Sequence, residues 1–187
     1  RRWAGLAKKK EKQTAADAAS FAREELGVAL DERQGELLAS GGKRVIVNCC
    51  RQWGKSTVAA AMAVYRAVSK AGSLILTASP GERQSRMLVR KAREFARKLG
   101  LAARGDGDNE VSVAFPNGSR IVGIPGNEET VRGFSGVDLL VIDEAAYVPD
   151  NLYHALRPML AASGGDLWLL STPNGQRGFF WRTWAAG

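Results

Sequence analysis

At 187 residues, 45% of them hydrophobic and 25% charged, the chain has room for one globular core with at most a small appendage, not for two full domains. It has no apolar run near the roughly 18 residues of a membrane helix and no secretory signal, so no membrane partner is expected. Two adjacent cysteines, Cys49 and Cys50, and a single histidine, His154, are a poor basis for a disulfide framework, structural zinc or histidine nucleophilic catalysis. The net charge of +8 favours polyanionic partners, and the positive side chains concentrate in residues 1–12 and 82–98.

In chain order, residues 1–12 lack apolar periodicity and read as a basic arm. A helix is predicted over 14–27, capped by Thr14, stopped at Gly27, with Ala18, Phe21, Ala22 and Leu26 on one side. A short helix from Asp31 to Ser40 precedes Gly41-Gly42, and Val45-Ile46-Val47 suits a buried strand. An alanine-rich helix follows over 55–70, and Leu74 to Ala78 forms the next strand. After Ser79-Pro80-Gly81, an amphipathic helix over 82–99 offers Met87, Leu88, Ala92, Phe95, Ala96 and Leu99 as its apolar side. Residues 104–109 read as a loop. Val111, Val113 and Phe115 alternate with smaller residues, Asn117-Gly118 turns the chain and residues 120–124 return, which is a hairpin signal. A Gly-rich loop over 125–136 leads to an apolar strand over 139–142, a helix over 150–161 and a last apolar strand over 167–170. Fully apolar strands alternating with helices predict an α/β fold with a mainly parallel central sheet and helices on both faces.

Two motifs carry chemistry. Cys50-Arg51-Gln52-Trp53-Gly54-Lys55-Ser56-Thr57 lies between a strand and a helix, where free helix N–H groups and a partial positive charge suit phosphate. Lys55 would reach the β- and γ-phosphates and the Ser56 hydroxyl would ligate Mg²⁺, although Cys49 stands where the usual pattern has its first glycine. The apolar strand over 139–142 then delivers Asp143 and Glu144 at its C-terminal end, where open α/β sheets bind ligands. Asp143 suits the metal shell and Glu144 the base that orients an attacking water. Both motifs in this order make ATP hydrolysis the economical reading.

Arg51 to Ser56, Asp143 to Tyr147 and Ser171-Thr172-Pro173-Asn174-Gly175 resemble, in order, the Walker A, Walker B and coupling motifs of tailed-bacteriophage large terminases. Val131 to Gly136 and Ser79 to Ser85 also look like that family, so the resemblance spans about residues 30–183. It implies a P-loop NTPase fold of the ASCE type and an ATPase motor that uses ATP and Mg²⁺ to drive double-stranded DNA into a procapsid. It further implies a homo-oligomeric ring when assembled, with portal protein and the small terminase subunit as partners, at the portal vertex in the host cytoplasm. The family's full protein adds an RNase H-like nuclease domain, and no nuclease activity is expected of residues 1–187, read as one ATPase domain.

The phosphate-loop residues Arg51, Gln52, Trp53, Gly54, Lys55, Ser56 and Thr57 are thus expected to bind ATP, with Ser171 and Thr172 as coupling residues. Gln34 resembles the family's adenine-reading glutamine, but Asp31 and Gln34 also have the spacing of a capping box. Arg51 either stabilises transition-state charge in cis or braces the loop. Arg132 is either an arginine finger for a neighbouring subunit or part of a loop salt bridge. Trp53 reads as packing. The rival readings are a helicase-like DNA-dependent ATPase and a non-catalytic nucleic-acid-binding module.

Overall fold

The computed structural model describes residues 17–101, 111–124 and 133–187. The basic arm over 1–12, Thr14, the loop over 104–109 and Arg132 lie outside the described residues.

The first helix, α1 (Ala18–Glu24), is capped by Asp17, whose carboxylate accepts the Ser20 N–H at 2.8 Å. Asp17 therefore takes the role expected of Thr14, because it immediately precedes the first buried turn. Helix α2 (Glu32–Ala39) carries the predicted capping box of Asp31 and Gln34. Strand β1 (Arg44–Asn48) leads into α3 (Lys55–Ser69), β2 (Leu74–Ala78) and α4 (Glu82–Lys98). The hairpin β3 (Ser112–Ala114) and β4 (Arg120–Ile124) pairs antiparallel, with Val113 opposite Ile121. Strand β5 (Leu139–Asp143), a 3₁₀ turn (Ala145–Tyr147), α5 (Asp150–Leu156), a second 3₁₀ turn (Arg157–Leu160), β6 (Asp166–Ser171) and α6 (Gly178–Ala186) complete the order.

The six strands run β1-β6-β5-β2-β4-β3, and all pairs except β3 with β4 are parallel. Alternate residues of the apolar strands enter different cores, because successive strand side chains point to opposite faces. Leu139, Val141, Trp168 and Leu170 pack with α1, α3 and α4, whereas Leu140, Ile142, Leu167 and Leu169 pack with α5, Phe179 and Phe180. Such double coverage explains why these runs show no polar alternation. Strand β1 departs from the expectation of burial: every residue in it is partly or fully exposed, since β6 is its only ladder partner among the described residues.

Three helices differ from their sequence readings. On α4, Met87 is 52% exposed, while Ser85 and Val89 are buried beside Leu88 and Ala92, so the apolar face is rotated from the expected one. The helix expected over 150–161 is α at 150–156 and 3₁₀ beyond, because Pro158 supplies no N–H for the α-helical bond to residue 154. Helix α6 has no counterpart among the predicted elements: Phe179, Phe180, Trp181 and Trp184 have middling helix propensity, and packing of Phe179 and Phe180 holds them there. Its first turn has no cap of its own, and the Asp150 carboxylate accepts the Phe179 N–H at 2.8 Å instead.

The starts of β5 and β6 hold buried carboxylates. Asp138 accepts the Leu74 N–H at 2.9 Å and pairs with Lys70, and Asp166 pairs with Arg66. These bonds tie the C-terminal half of α3 to one end of the sheet. There Gly165 is required by close approach, since a Cβ would lie 2.0 Å from the Val137 carbonyl oxygen. The opposite, C-terminal end of the parallel strands is left for the loops.

Candidate active site

Residues 49–54 wrap from β1 into α3 with two left-handed turns, Gln52 at φ 64° and Gly54 at φ 87°. Gly54 is required on both counts, because a Cβ there would also stand 3.0 Å from Gln34 Nε2. No side chain caps α3, which leaves the N–H groups of Lys55 and Ser56 without intrahelical acceptors. Arg51, Gln52, Gly54, Lys55, Ser56 and Thr57 form one wall of a cavity of about 580 Å³, with Pro80, Gln84, Glu144, Tyr147 and Thr172 opposite. A helix N-terminus with a buried lysine is a ready anion site.

Insertion of β6 between β1 and β5 brings three strand ends to this cavity. Ser56 Oγ donates to Asp143 Oδ2 at 2.8 Å, and the Glu144 N–H donates to Asp143 Oδ1 at 3.0 Å. Burial pushes the Asp143 carboxyl above its ordinary pKa, the Ser56 hydrogen bond opposes this, and the neighbouring Glu144 charge adds to it. A hydroxyl and a carboxylate already in contact, with the carboxylate short of positive charge, fit Mg²⁺. Among the described residues no group of three or more His, Cys, Asp or Glu forms an all-protein cage. Mg²⁺ needs none, since one or two protein oxygens and substrate phosphates suffice.

Glu144 adopts the left-handed conformation, φ 52° and ψ 45°, uncommon for a residue with a Cβ and costing roughly 1–3 kcal/mol. Its carboxylate is held on both oxygens. Oε1 lies 3.5 Å from Lys55 Nζ, while Oε2 accepts from Thr172 Oγ1 at 3.2 Å, the Thr172 N–H at 3.3 Å and Ser171 Oγ at 3.4 Å. Ser171 in turn accepts the Ala146 N–H at 3.1 Å, and its carbonyl receives the Cys49 N–H at 3.1 Å. Ser171 thus touches both the acidic strand end and the start of the phosphate loop. Burial raises the Cys49 thiol above its ordinary pKa, with Lys55 pulling the other way, so this residue fills the first-glycine position as a neutral thiol.

The structure thereby brings Lys55, Ser56, Asp143, Glu144, Ser171 and Thr172 together. Arg51 is exposed in the cavity wall. Gln34 is not among the residues lining the cavity; it completes the capping box, its Oε1 accepting the Asp31 N–H at 3.1 Å. It also does something its sequence context does not announce: Nε2 donates to the Trp53 carbonyl at 2.6 Å, strapping α2 to the phosphate loop. Trp53 is half-buried. Gln84 and Tyr147 join the cavity wall; they lie inside the family-like segments Ser79 to Ser85 and Asp143 to Tyr147, but neither was expected as a site residue. The signal for Gln84 was available, since it lies in the Ser79 to Ser85 segment that resembles the family.

The sequence profile described as terminase large subunit, T4likevirus-type, N-terminal, matches residues 46–186. A comparison with curated proteins found no match. Among solved structures, the large terminase ATPase domain of Thermus phage P74-26 is similar at 22% identity and TM-score 0.77, over 86% of this chain and 71% of that one. The large terminase of bacteriophage HK97 matches at 16% identity and TM-score 0.69, over 83% of this chain and 36% of that one. The large terminase of another thermophilic bacteriophage, in complex with ATP-γ-S, matches at 14% identity and TM-score 0.68, over 84% of this chain and 42% of that one. At these identities the likeness carries the P-loop NTPase fold, with the strand that ends in Ser171 as the additional central strand. The profile match covers most of the sequence, and by it the chain belongs to the terminase large-subunit family and corresponds to its N-terminal ATPase domain.

Proposed function

We propose that the protein hydrolyses ATP to drive double-stranded DNA into a viral procapsid, with Glu144 as the base that orients the attacking water. The observation that carries this reading is the double anchoring of Glu144, by Lys55 on one oxygen and by Ser171 and Thr172 on the other. A structural acidic pair at a strand end has no need of a strained backbone and two hydroxyl donors.

The phosphates of ATP would bind at the first turn of α3, where Lys55 and the open N–H groups meet them. ATP-γ-S in the thermophilic phage terminase supports a nucleotide in a fold of this kind. Ser56 and Asp143 would hold Mg²⁺, which when bound neutralises charge developing on the phosphate oxygens. As Lys55 turns to the phosphates, Glu144 Oε1 is released from its ion pair while Oε2 stays fixed to β6. A carboxylate held on one side and freed on the other can accept a hydrogen bond from water in a defined direction. Ala146, two residues after the base in the chain, is also reached from β6's end, since its N–H donates to Ser171 Oγ, so Ser171 and Thr172 are placed to pass a change at the phosphates to the rest of the sheet.

For DNA, the outer side of α4 presents Arg83, Arg86, Arg90 and Arg93 around an open groove of about 500 Å³. Such a surface suits a phosphate backbone and reads no base sequence. A ring at the portal vertex in the host cytoplasm, with portal protein and small terminase subunit as partners and either Arg132 or Arg51 as the arginine finger, completes the proposal. The deciding experiment measures Mg²⁺-dependent phosphate release and displacement of a third strand from duplex DNA. Release coupled to third-strand displacement with the duplex intact is the expected result. Strand separation on a forked duplex would favour a helicase-like ATPase, and absence of phosphate release would leave only a binding module.

A further inference from the structure

The inner side of α4 packs in the core, and one flank of the helix borders the same cavity as the phosphate loop. Gln84 lines that cavity from the helix's first turn, and Lys91, two turns later, stands on the same face. Lys91 Nζ donates to Thr57 Oγ1 at 2.9 Å. Thr57 follows Lys55 and Ser56 directly, lines the cavity, and has its own N–H bound to the Gly54 carbonyl at 2.9 Å. Lys91 is half-buried, and among the described residues no carboxylate pairs with it. A second ammonium beside the positive end of α3 is electrostatically unfavourable until an anion arrives.

We infer that Lys91 is a positioning residue of the nucleotide site, acting through Thr57. It fixes the Thr57 hydroxyl and hence the first turn of α3 against the phosphates, and it adds positive charge from outside the phosphate loop. Helix α4 is then a second wall of the ATP site and not only a packing element. The inference rests on the proposal that this cavity binds a nucleoside triphosphate.

The test is a double-mutant cycle on the full chain, with Mg·ATP affinity measured by calorimetry for wild type, Lys91→Met, Thr57→Val and the pair. Each single change should weaken affinity about tenfold, the scale of one hydrogen bond made by a charged group. The double variant should be no weaker than the worse single one, because both remove the same hydrogen bond. Lys91→Arg, which can still donate to Thr57 Oγ1, should recover much of the loss. Thermal midpoints should stay close to wild type, and single-turnover hydrolysis at saturating ATP should fall far less than affinity. Wild-type affinity in Lys91→Met, additive losses in the pair, or affinity losses that follow the thermal midpoint would each overturn the inference while leaving the nucleotide reading intact. Failure of the wild type itself to bind Mg·ATP would overturn both.

Discussion

Thr172 holds Glu144 by two donors at once, its hydroxyl at 3.2 Å and its N–H at 3.3 Å from the same carboxylate oxygen. Thr172→Val keeps the shape and the N–H but removes the hydroxyl. Mg·ATP affinity should be unchanged, since the hydrogen bonds of Thr172 go to Glu144 and not to Lys55 or Ser56. Single-turnover phosphate release should slow about tenfold, the cost of loosening a positioned base by one hydrogen bond. Full-rate release would separate the end of β6 from the chemistry.

Removing the base itself should do more. Glu144→Gln keeps size and can still accept from Thr172, but it loses the charge needed to polarise water. Binding should remain near wild type, and hydrolysis should fall by at least about 10²-fold, the scale of positioned acid–base help. Normal turnover in this variant would take the mechanism with it.

Lys55→Ala should fail at the earlier step. Lys55 is 7% exposed and is the buried cation proposed to meet the phosphates, so its loss would leave their charge without that partner. Equilibrium binding of Mg·ATP should drop below detection where Glu144→Gln still saturates. Equal affinities in the two variants would contradict the division of labour.

Asp150 offers a test of stability away from the cavity. Its pKa is held below the ordinary carboxylate range by the Arg182 hydrogen bond first and the Phe179 N–H second. A lowered folded-state pKa means that its stabilisation is fully present above the ordinary carboxylate range and is lost as pH falls through the lowered value. Asp150→Ala should cost about 1 kcal/mol near neutral pH, mostly as a lost helix cap, because the exposed ion pair contributes little. Denaturant titrations should show the gap from wild type closing as pH drops below about 4, the ordinary aspartate value. A gap that stays constant with pH would assign the effect to packing.

DNA binding should follow charge and not sequence. If α4 meets the phosphate backbone, replacing Arg83, Arg86 and Arg90 together with alanine should flatten the plot of log K against log salt by about 0.9 for each phosphate no longer neutralised. An unchanged slope would place the DNA elsewhere, and a strong preference for one short duplex would argue against backbone recognition altogether.

Much of this molecule was legible in advance, for identifiable reasons. Strands β2, β5 and β6 announce themselves because burial on both faces removes the polar alternation, as in Leu139-Leu140-Val141-Ile142. That Lys55, Ser56, Asp143 and Glu144 would lie together was legible because both motifs follow the C-terminal ends of strands predicted to share one parallel sheet. The Gln34 bond to Trp53, the Lys91 bond to Thr57 and the Asp150 cap on α6 were not. Each joins residues far apart in sequence, and no local pattern records that the fold makes them neighbours. The rotated face of α4 has a related cause: a single exposed apolar residue, Met87, shifts the apparent apolar side of a helix rich in arginine.

The exposed position of β1 has a consequence for synthesis. Among the described residues, the strand that launches the phosphate loop has one ladder partner, β6, with Arg44 opposite Leu167 and Asn48 opposite Ser171. While the chain emerges from the ribosome, the central strands β2, β4 and β5 can assemble, but β1 has nothing to pair with until nearly all of residues 17–187 are out. Nucleotide affinity should therefore appear abruptly once β6 has emerged, and a nascent chain stalled before residue 166 should carry an intact Lys55 and Ser56 yet ignore ATP.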